Sequence, residues 1–463
     1  MKGFVLLALL AFPIAAQERY PVDWTKLEPE ILDHFTALLK IDTSNPPGNE
    51  TKAAEFLQKV LAGEGIPVRI FALEPARANL VARLKGNGSK KPVLLMGHTD
   101  VVGVQRDHWS VDPFAAVRKR NLIYGRGSLD DRPHVVAGLM VMLLLNRLHV
   151  KLDRDVIFLA EAGEEGTTSV GIDYMIKQHW PEIESEFALA EGGTAIEENG
   201  KVHDVLISVT EKVPRGIRLV ARGPSGHGSR PLTQNAVTHL AAAVAKVGEW
   251  QTPMRLNAAT RAYFERMAAI STGAEAARYR AILNPAHAAA VDRYFRDHEP
   301  GHYSILRTSV VPTILKAGFR SNVIPSEGEA YLDVRALPDE NMTQFIAALR
   351  RVINDPSIEI VPSQSSERPA ATPSGTDTDL FHALEKVSRA MFSAPAIPSL
   401  LTGATDGAQL RARGVQAYGT GPISPIAEGP LGGAHSDDEN ISIRALEKMV
   451  EFTWNTVLEV AAQ

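Results

Sequence analysis

The 463-residue chain contains no cysteine. Disulfides are excluded, and so is any thiolate metal site, so a bound metal has to be held by His, Asp and Glu. Charge of one sign is also missing. The formal net charge of -5 is spread along the chain, and no basic patch or tail points to a nucleic-acid partner. Long apolar runs are scarce. The N-terminal "MKGFVLLALLAFPIAAQERY" has one from Phe4 to Leu10, too short to span a bilayer. With Lys2 before it and Ile14-Ala15-Ala16 after it, this is the pattern of a secretory signal peptide, with cleavage expected after Ala16. An exported chain is expected, periplasmic or secreted, with no membrane anchor after cleavage. A second apolar stretch, "VVAGLMVMLLLNRLHV", begins just behind Pro133 and ends near Arg147 and His149. Proline suits the first turn of a helix, so this stretch is expected to be a core helix packed on a sheet.

What is present is ordinary globular material, 44% hydrophobic and 22% charged, enough for two or more domains. Residues 27 to 65 read as two amphipathic helices joined by "IDTSNPPGNET", with Thr51 as N-cap of the second. Short runs rich in Val, Leu and Ile follow, "NLVARL", "PVLLMGH", "DVIFLAEA" and "FALAEGG", interspersed with helical patterns. They predict an α/β fold whose mixed sheet is flanked by helices. From about 205 the pattern changes to strand, strand and loop, then helix, an alanine-rich helical stretch at 255 to 300, the strand "GEAYLDVRAL" and the helix "MTQFIAALRRVIN". "VPSQSSERPAATPSGTD" reads as a polar return linker. The expected organisation is a signal peptide at 1–16, a catalytic domain in two parts at 17–210 and 368–463, and an inserted α+β domain at 211–367.

Several acids and histidines fall just after the strand-like runs. "VLLMGHTD" holds His98 and Asp100, "YGRGSLDD" Asp130 and Asp131, "VIFLAEAGEEG" Glu164 and Glu165, "FALAEGG" Glu191, and "GAHSDDEN" His435. In α/β sheets functional side chains gather beyond the C-terminal strand ends. Singly, each has an ordinary reading as a hydrogen-bonded core histidine, a helix-start aspartate or a surface acid. Jointly, two imidazoles and three or four carboxylates form the hard, oxygen-rich set of a two-metal hydrolytic site.

In that order, "GHTDVV", "YGRGSLDD", "GEEG", "ALAEGG" and "GAHSDDENI" resemble metallopeptidase family M20, the two-zinc amidohydrolases that include carboxypeptidase G, aminoacylase, succinyl-diaminopimelate desuccinylase and carboxypeptidase S. The resemblance runs from "IDTSNPPGNE" to "DENISI", and "SILRTSVVPTILKAGFRSNVIPSEGEAYLDVRALP" looks closest to the carboxypeptidase S-like branch. It implies a zinc-exopeptidase-like catalytic domain with an inserted lid or dimerisation domain, and two Zn2+ per chain, with Co2+ or Mn2+ as substitutes. Asp130 would bridge the metals, His98 and Glu191 complete one site, and Glu165 and His435 the other. Asp100 would support His98. Glu164 would be the general base for a metal-bridged water, and the Asp130–Asp131 peptide would be cis. His227, Asn322 and Arg335 would bind substrate, His227 from a partner subunit of a homodimer, and "TGATDG" would form a further carboxylate-side loop. The chain departs from the family pattern in Arg132-Pro133, where Lys-Gly is usual, and in Gly163.

The implied function is an exported zinc hydrolase of the carboxypeptidase or aminoacylase type, cleaving amide bonds of small peptides or N-acyl amino acids with a free carboxylate. The alternative is an exported binding protein of the same fold without catalysis. A serine hydrolase is disfavoured because "GPSGHG" is no G-x-S-x-G elbow. Hydrolysis and acyl-amino acid condensation share one catalyst and stay unseparated.

Overall fold

The structure is a computed structural model describing residues 19–363, 368–425 and 433–463. The expected signal peptide and residues 364–367 of the expected return linker lie outside the described residues. Two units are formed. One comprises the chain up to Ile207 with Ser374–Ile397 and Gly414–Gln463, the other Ser208–Pro373 with Pro398–Arg413. Pro398–Arg413, assigned above to the returning catalytic chain, thus belongs with the second unit. The reason is a buried tether invisible to local pattern. Glu211 accepts from the Thr405 N–H and hydroxyl, both at 2.8 Å, and pairs with Arg411, while Arg368 binds Asp406 at 2.8 Å.

The larger sheet, formed mainly by residues of the first unit, runs Val68–Ala72, Ala78–Leu84, Val156–Glu161, Val93–His98, Phe187–Ala190, Gln416–Gly419, Lys201–Glu211, Thr194–Glu198, Ile423–Pro425. Val93–His98 lies parallel to both neighbours, Val156–Glu161 and Phe187–Ala190. All three are buried along their whole length, as in a sheet covered on both faces. Ala78–Leu84 adds antiparallel to Val156–Glu161, which makes the sheet mixed.

The helix Arg132–Arg147 packs on Val93–His98, and its residues Arg132 to Leu145 are all buried. A helix apolar on every face has to lie inside, and Pro133 starts it in the first turn. Ile443–Ala461 and Trp24–Leu39 pack against it in turn. No helix among the described residues is long and apolar enough to cross a membrane. The helix after "IDTSNPPGN" begins at Glu50 with Asn49 at the N-cap position, so Thr51 is not the cap. Its hydroxyl instead donates to the Pro75 carbonyl at 2.7 Å.

The second unit has an antiparallel sheet with Glu327–Ala336 between Ile217–Arg222 and Ser309–Ala317. Glu327–Ala336 alternates buried and half-buried residues, the signature of a sheet covered on one face. The helices Ala236–Glu249 and Met342–Ile353 supply that cover through Leu240, Val247, Phe345 and Leu349 against Leu219, Ala330 and Leu332. The alanine-rich stretch forms Ala258–Ile270, Gly273–Ile282, Pro285–His298 and Pro300–Ile305.

Candidate metal centre

Three neighbouring parallel strands deliver the first set of side chains. His98 is the last residue of its strand, Glu191 directly follows Phe187–Ala190, and Glu164 and Glu165 lie in the turn beyond Val156–Glu161. Gly97, next to His98, lets the strand meet the start of the helix Arg132–Arg147. A Cβ there would lie 2.9 Å from the Val135 nitrogen and 3.1 Å from Asp131 Oδ2. Gly163 holds φ +77°, and a Cβ would meet the Thr167 carbonyl at 2.5 Å. The departure at Gly163 is therefore a backbone requirement of this turn.

Asp130 is the hub. Its Oδ1 lies 2.9 Å from His98 Nε2, and its Oδ2 lies 3.2 Å from His435 Nε2. His435 Nε2 is also 2.8 Å from Glu165 Oε1, and His98 Nε2 is 3.7 Å from Glu191 Oε2. Donor atoms of His98, Asp130 and Glu165 fall within 4.8 Å of one another, and so do those of His98, Glu164 and Glu191. The His98 side is buried, whereas His435 is exposed. His435 takes φ +63°, a left-handed conformation uncommon outside glycine.

The supporting contacts fix protons and backbone. His98 Nδ1 lies 3.1 Å from the Asp100 carbonyl oxygen, which only accepts, so Nδ1 carries a proton and Nε2 is the nitrogen left to face Asp130, a lone-pair donor once a cation replaces its proton. The Asp100 carboxylate stands 3.4 Å from that nitrogen and does more for the acidic turn. It accepts the Glu164 N–H at 3.1 Å, the Glu165 N–H at 3.0 Å and Asn45 Nδ2 at 2.8 Å. Asp131 is buried. It accepts the His98 N–H at 3.1 Å and pairs with the His134 ring, while the peptide before it is cis. Arg132 is buried too and donates to Thr43 Oγ1 at 2.7 Å.

Charge tests whether these residues suit metal ions. Four carboxylates face two imidazoles in a largely buried space, and lone-pair donors this close need a cation or a proton between them. Burial would raise Asp130, but hydrogen bonds from His435 and His98 hold it well below the usual carboxylate range. Burial, with the charge of Asp130, pushes Glu191 up to about 8. Hydrogen bonds to Asp130 and Glu165 push His435 up to about 10. The pocket draws in positive charge, as a divalent-cation site must.

His227, Asn322 and Arg335 belong to the second unit. His227 pairs with Val323 in a short antiparallel ladder, and the Gly228 N–H donates to the Asn322 carbonyl at 2.8 Å, so the first two are neighbours. Arg335 lies on Glu327–Ala336 and donates from Nε to Asp333 at 2.8 Å. Sequence reasoning singled out neither Asn45 nor Glu439. Asn45 sits in a segment with cis Asn45–Pro46 and Pro46–Pro47 peptides, and the doubled proline was its available signal. Glu439 had only its place four residues beyond His435.

His98, Glu164, Glu165 and Glu191 at or just beyond the ends of parallel strands, with Asp130 beside them, form a candidate metal centre. The chain matches the model described as Peptidase family M20/M25/M40 over residues 94–459 and belongs to that family. It is 27% identical over 376 residues to N-fatty-acyl-amino acid synthase/hydrolase PM20D1 of Homo sapiens, covering 80% of this chain and 74% of that protein. It is 24% identical over 409 residues to aminoacylase-1 of Dictyostelium discoideum, covering 86% and 90%. In structure it resembles the M20 metallo-carboxypeptidase Sso-CP2 of Sulfolobus solfataricus, with TM-score 0.68, 18% identity, and coverage of 93% and 99%.

Proposed function

We propose that the protein is an exported, two-zinc amidohydrolase acting on peptides or N-acyl amino acids that carry a free carboxylate. The carrying observation is Asp130, whose two oxygens face His98 and His435 at 2.9 and 3.2 Å. His98, Asp130 and Glu191 would hold one ion, and Asp130, Glu165 and His435 the other. Such a pair, when bound, polarises a carbonyl and lowers the pKa of a water. Export rests on the N-terminal sequence pattern.

The chain's own groups would do the rest. Glu164, fixed through its N–H by Asp100 at 3.1 Å, takes the proton of the attacking water and passes it to the leaving amine nitrogen. His227 would serve the site of a partner subunit: its Nδ1 accepts the Ser229 N–H at 3.1 Å, so the neutral ring has its proton on Nε2, the donor an oxyanion requires. Arg335 offers a guanidinium, 37% exposed, to the substrate carboxylate. A homodimer is supported by the strand Ser309–Ala317, on which Val311, Ile314 and Leu315 are exposed apolar residues of the kind pairing strands cover. The relatives' names favour N-acyl amino acids and C-terminal peptide bonds as the first substrates to try. The intact set of metal donors together with Glu164 favours catalysis over silent binding.

The test is hydrolysis of a panel of N-acyl amino acids and dipeptides by the purified chain with and without a chelator. Turnover abolished by chelator and restored by zinc supports the reading. A zinc-loaded chain that cleaves nothing on the panel contradicts it.

A further inference from the structure

Glu439 is fully buried, and both its oxygens are spent on one short segment. Oε2 accepts from Arg126 Nη1 at 2.6 Å and the Gly127 N–H at 3.1 Å. Oε1 accepts from the Leu129 N–H at 2.7 Å and the Asp130 N–H at 3.1 Å. The Glu439 carbonyl accepts the Gly125 N–H at 3.0 Å. One residue thus ties down the backbone from 125 to 130, including the amide of Asp130 itself. Backbone N–H groups converging on one anion form a nest, and here the anion is a side chain from more than three hundred residues away.

The other end of the tie is as telling. Glu439 stands four residues after His435. The strand that follows it, Asn440–Ser442, pairs antiparallel with Leu122–Tyr124, which leads into the Asp130 segment. Asp130 and His435 arrive on different parts of the chain, and their mutual distance depends on the register of those two segments. Local sequence cannot set that register, but a charged, buried hydrogen-bond cluster can.

We propose that Glu439 is a positioning residue of the metal centre. It clamps the segment bearing the shared ligand Asp130 onto the segment bearing His435, and touches neither metal nor substrate. The inference rests on the two-metal reading of the site. Removing the clamp loosens the one ligand common to both ions, so affinity for both falls. Supporting partners of this kind typically change metal affinity by ~10–100-fold.

The test is a cobalt titration of the metal-stripped wild type, Glu439→Gln and Glu439→Asp, read by the visible absorption of bound Co2+ and by competition with a chelator. The glutamine variant keeps the size but turns an amide group towards donors. The aspartate variant keeps the charge but is one methylene too short to serve both donor pairs, and it stands in if the glutamine variant does not fold. Far-ultraviolet circular dichroism establishes that each variant is folded. We expect an altered cobalt spectrum and affinity weaker by ~10–100-fold in Glu439→Gln, with a smaller loss in Glu439→Asp. In turnover assays kcat should fall while KM changes little. Folded variants with wild-type affinity and spectrum overturn the clamp while leaving the metal centre standing. A wild type that binds no cobalt overturns the metal centre and the clamp with it.

Discussion

The two oxygens of Asp130 face different histidines, Oδ1 at 2.9 Å from His98 Nε2 and Oδ2 at 3.2 Å from His435 Nε2. A carboxylate so placed serves two donor sets at once. Asp130→Asn leaves one oxygen and no charge, so the expected metal content falls from about two ions per chain to one or none, and turnover falls with it. Metal analysis after dialysis reads this directly. Two tightly held ions in the variant would refute a shared ligand.

Glu164 is the acid of the cluster assigned to protons rather than metal. Glu164→Gln is expected to retain the wild-type metal content and to lose ~10²–10⁴-fold in kcat, the usual worth of a general base. Parallel metal analysis and steady-state kinetics on one preparation separate the two roles. Loss of metal along with activity would make Glu164 a ligand.

Asp100 acts through the acidic turn. Its carboxylate accepts the backbone N–H groups of Glu164 and Glu165 at 3.1 and 3.0 Å. In Asp100→Asn one oxygen becomes an NH2 group that meets a donor. Zinc affinity is expected to weaken by ~10–100-fold, with a matching fall in kcat, as measured by chelator competition and kinetics. Unchanged affinity would show that the His98 ring needs only the Asp100 backbone.

Close behind that turn, Arg77 binds Glu50 through Nε and Nη2, both at 2.6 Å, with both side chains buried. Breaking a buried pair leaves an uncompensated charge. Glu50→Ala should cost ~3–5 kcal/mol, and adding Arg77→Met should recover part of it. Urea denaturation measures both, and a loss below ~1 kcal/mol for the single variant would mean that Arg77 finds another anion or water.

Lys212, fully buried in the second unit, donates to Ser304 Oγ and Ser309 Oγ, both at 3.0 Å. Burial, with the nearby charges of Arg307 and Arg335, lowers it to about 7. Its folded pKa lies below its ordinary value of about 10.4, so folding disfavours the proton. The penalty is full below pH 7 and fades as pH rises towards 10. Lys212→Met should therefore raise the melting temperature at pH 7 by more than at pH 10. An equal shift at both values would show that Lys212 is not desolvated.

The sheet strands and the helix behind Pro133 were legible because apolar period and turn residues are local signals. His98, Glu164, Glu165 and Glu191 were legible for a related reason, since each sits at or just past the end of an apolar strand. What could not be read depends on contacts between distant segments. Glu439 meets Asp130 across 309 positions and Asn45 meets Asp100 across 55. Likewise the seating of Pro398–Arg413 with the second unit follows from Glu211, nearly two hundred positions away from Thr405 and Arg411. Thr51 is no cap because its hydroxyl serves the Pro75 carbonyl, a partner that no local pattern announces.

A carboxylate shared by two ions requires both to lie beside Asp130. The most direct measurement is an anomalous-scattering map, at the zinc edge, of crystals of the zinc-loaded protein. Two peaks are predicted, one among His98, Asp130 and Glu191 and one among Asp130, Glu165 and His435, separated by ~3.5–4 Å. A single peak that leaves His435 without metal, or no peak beside Asp130, would show that Asp130 is not shared by two ions.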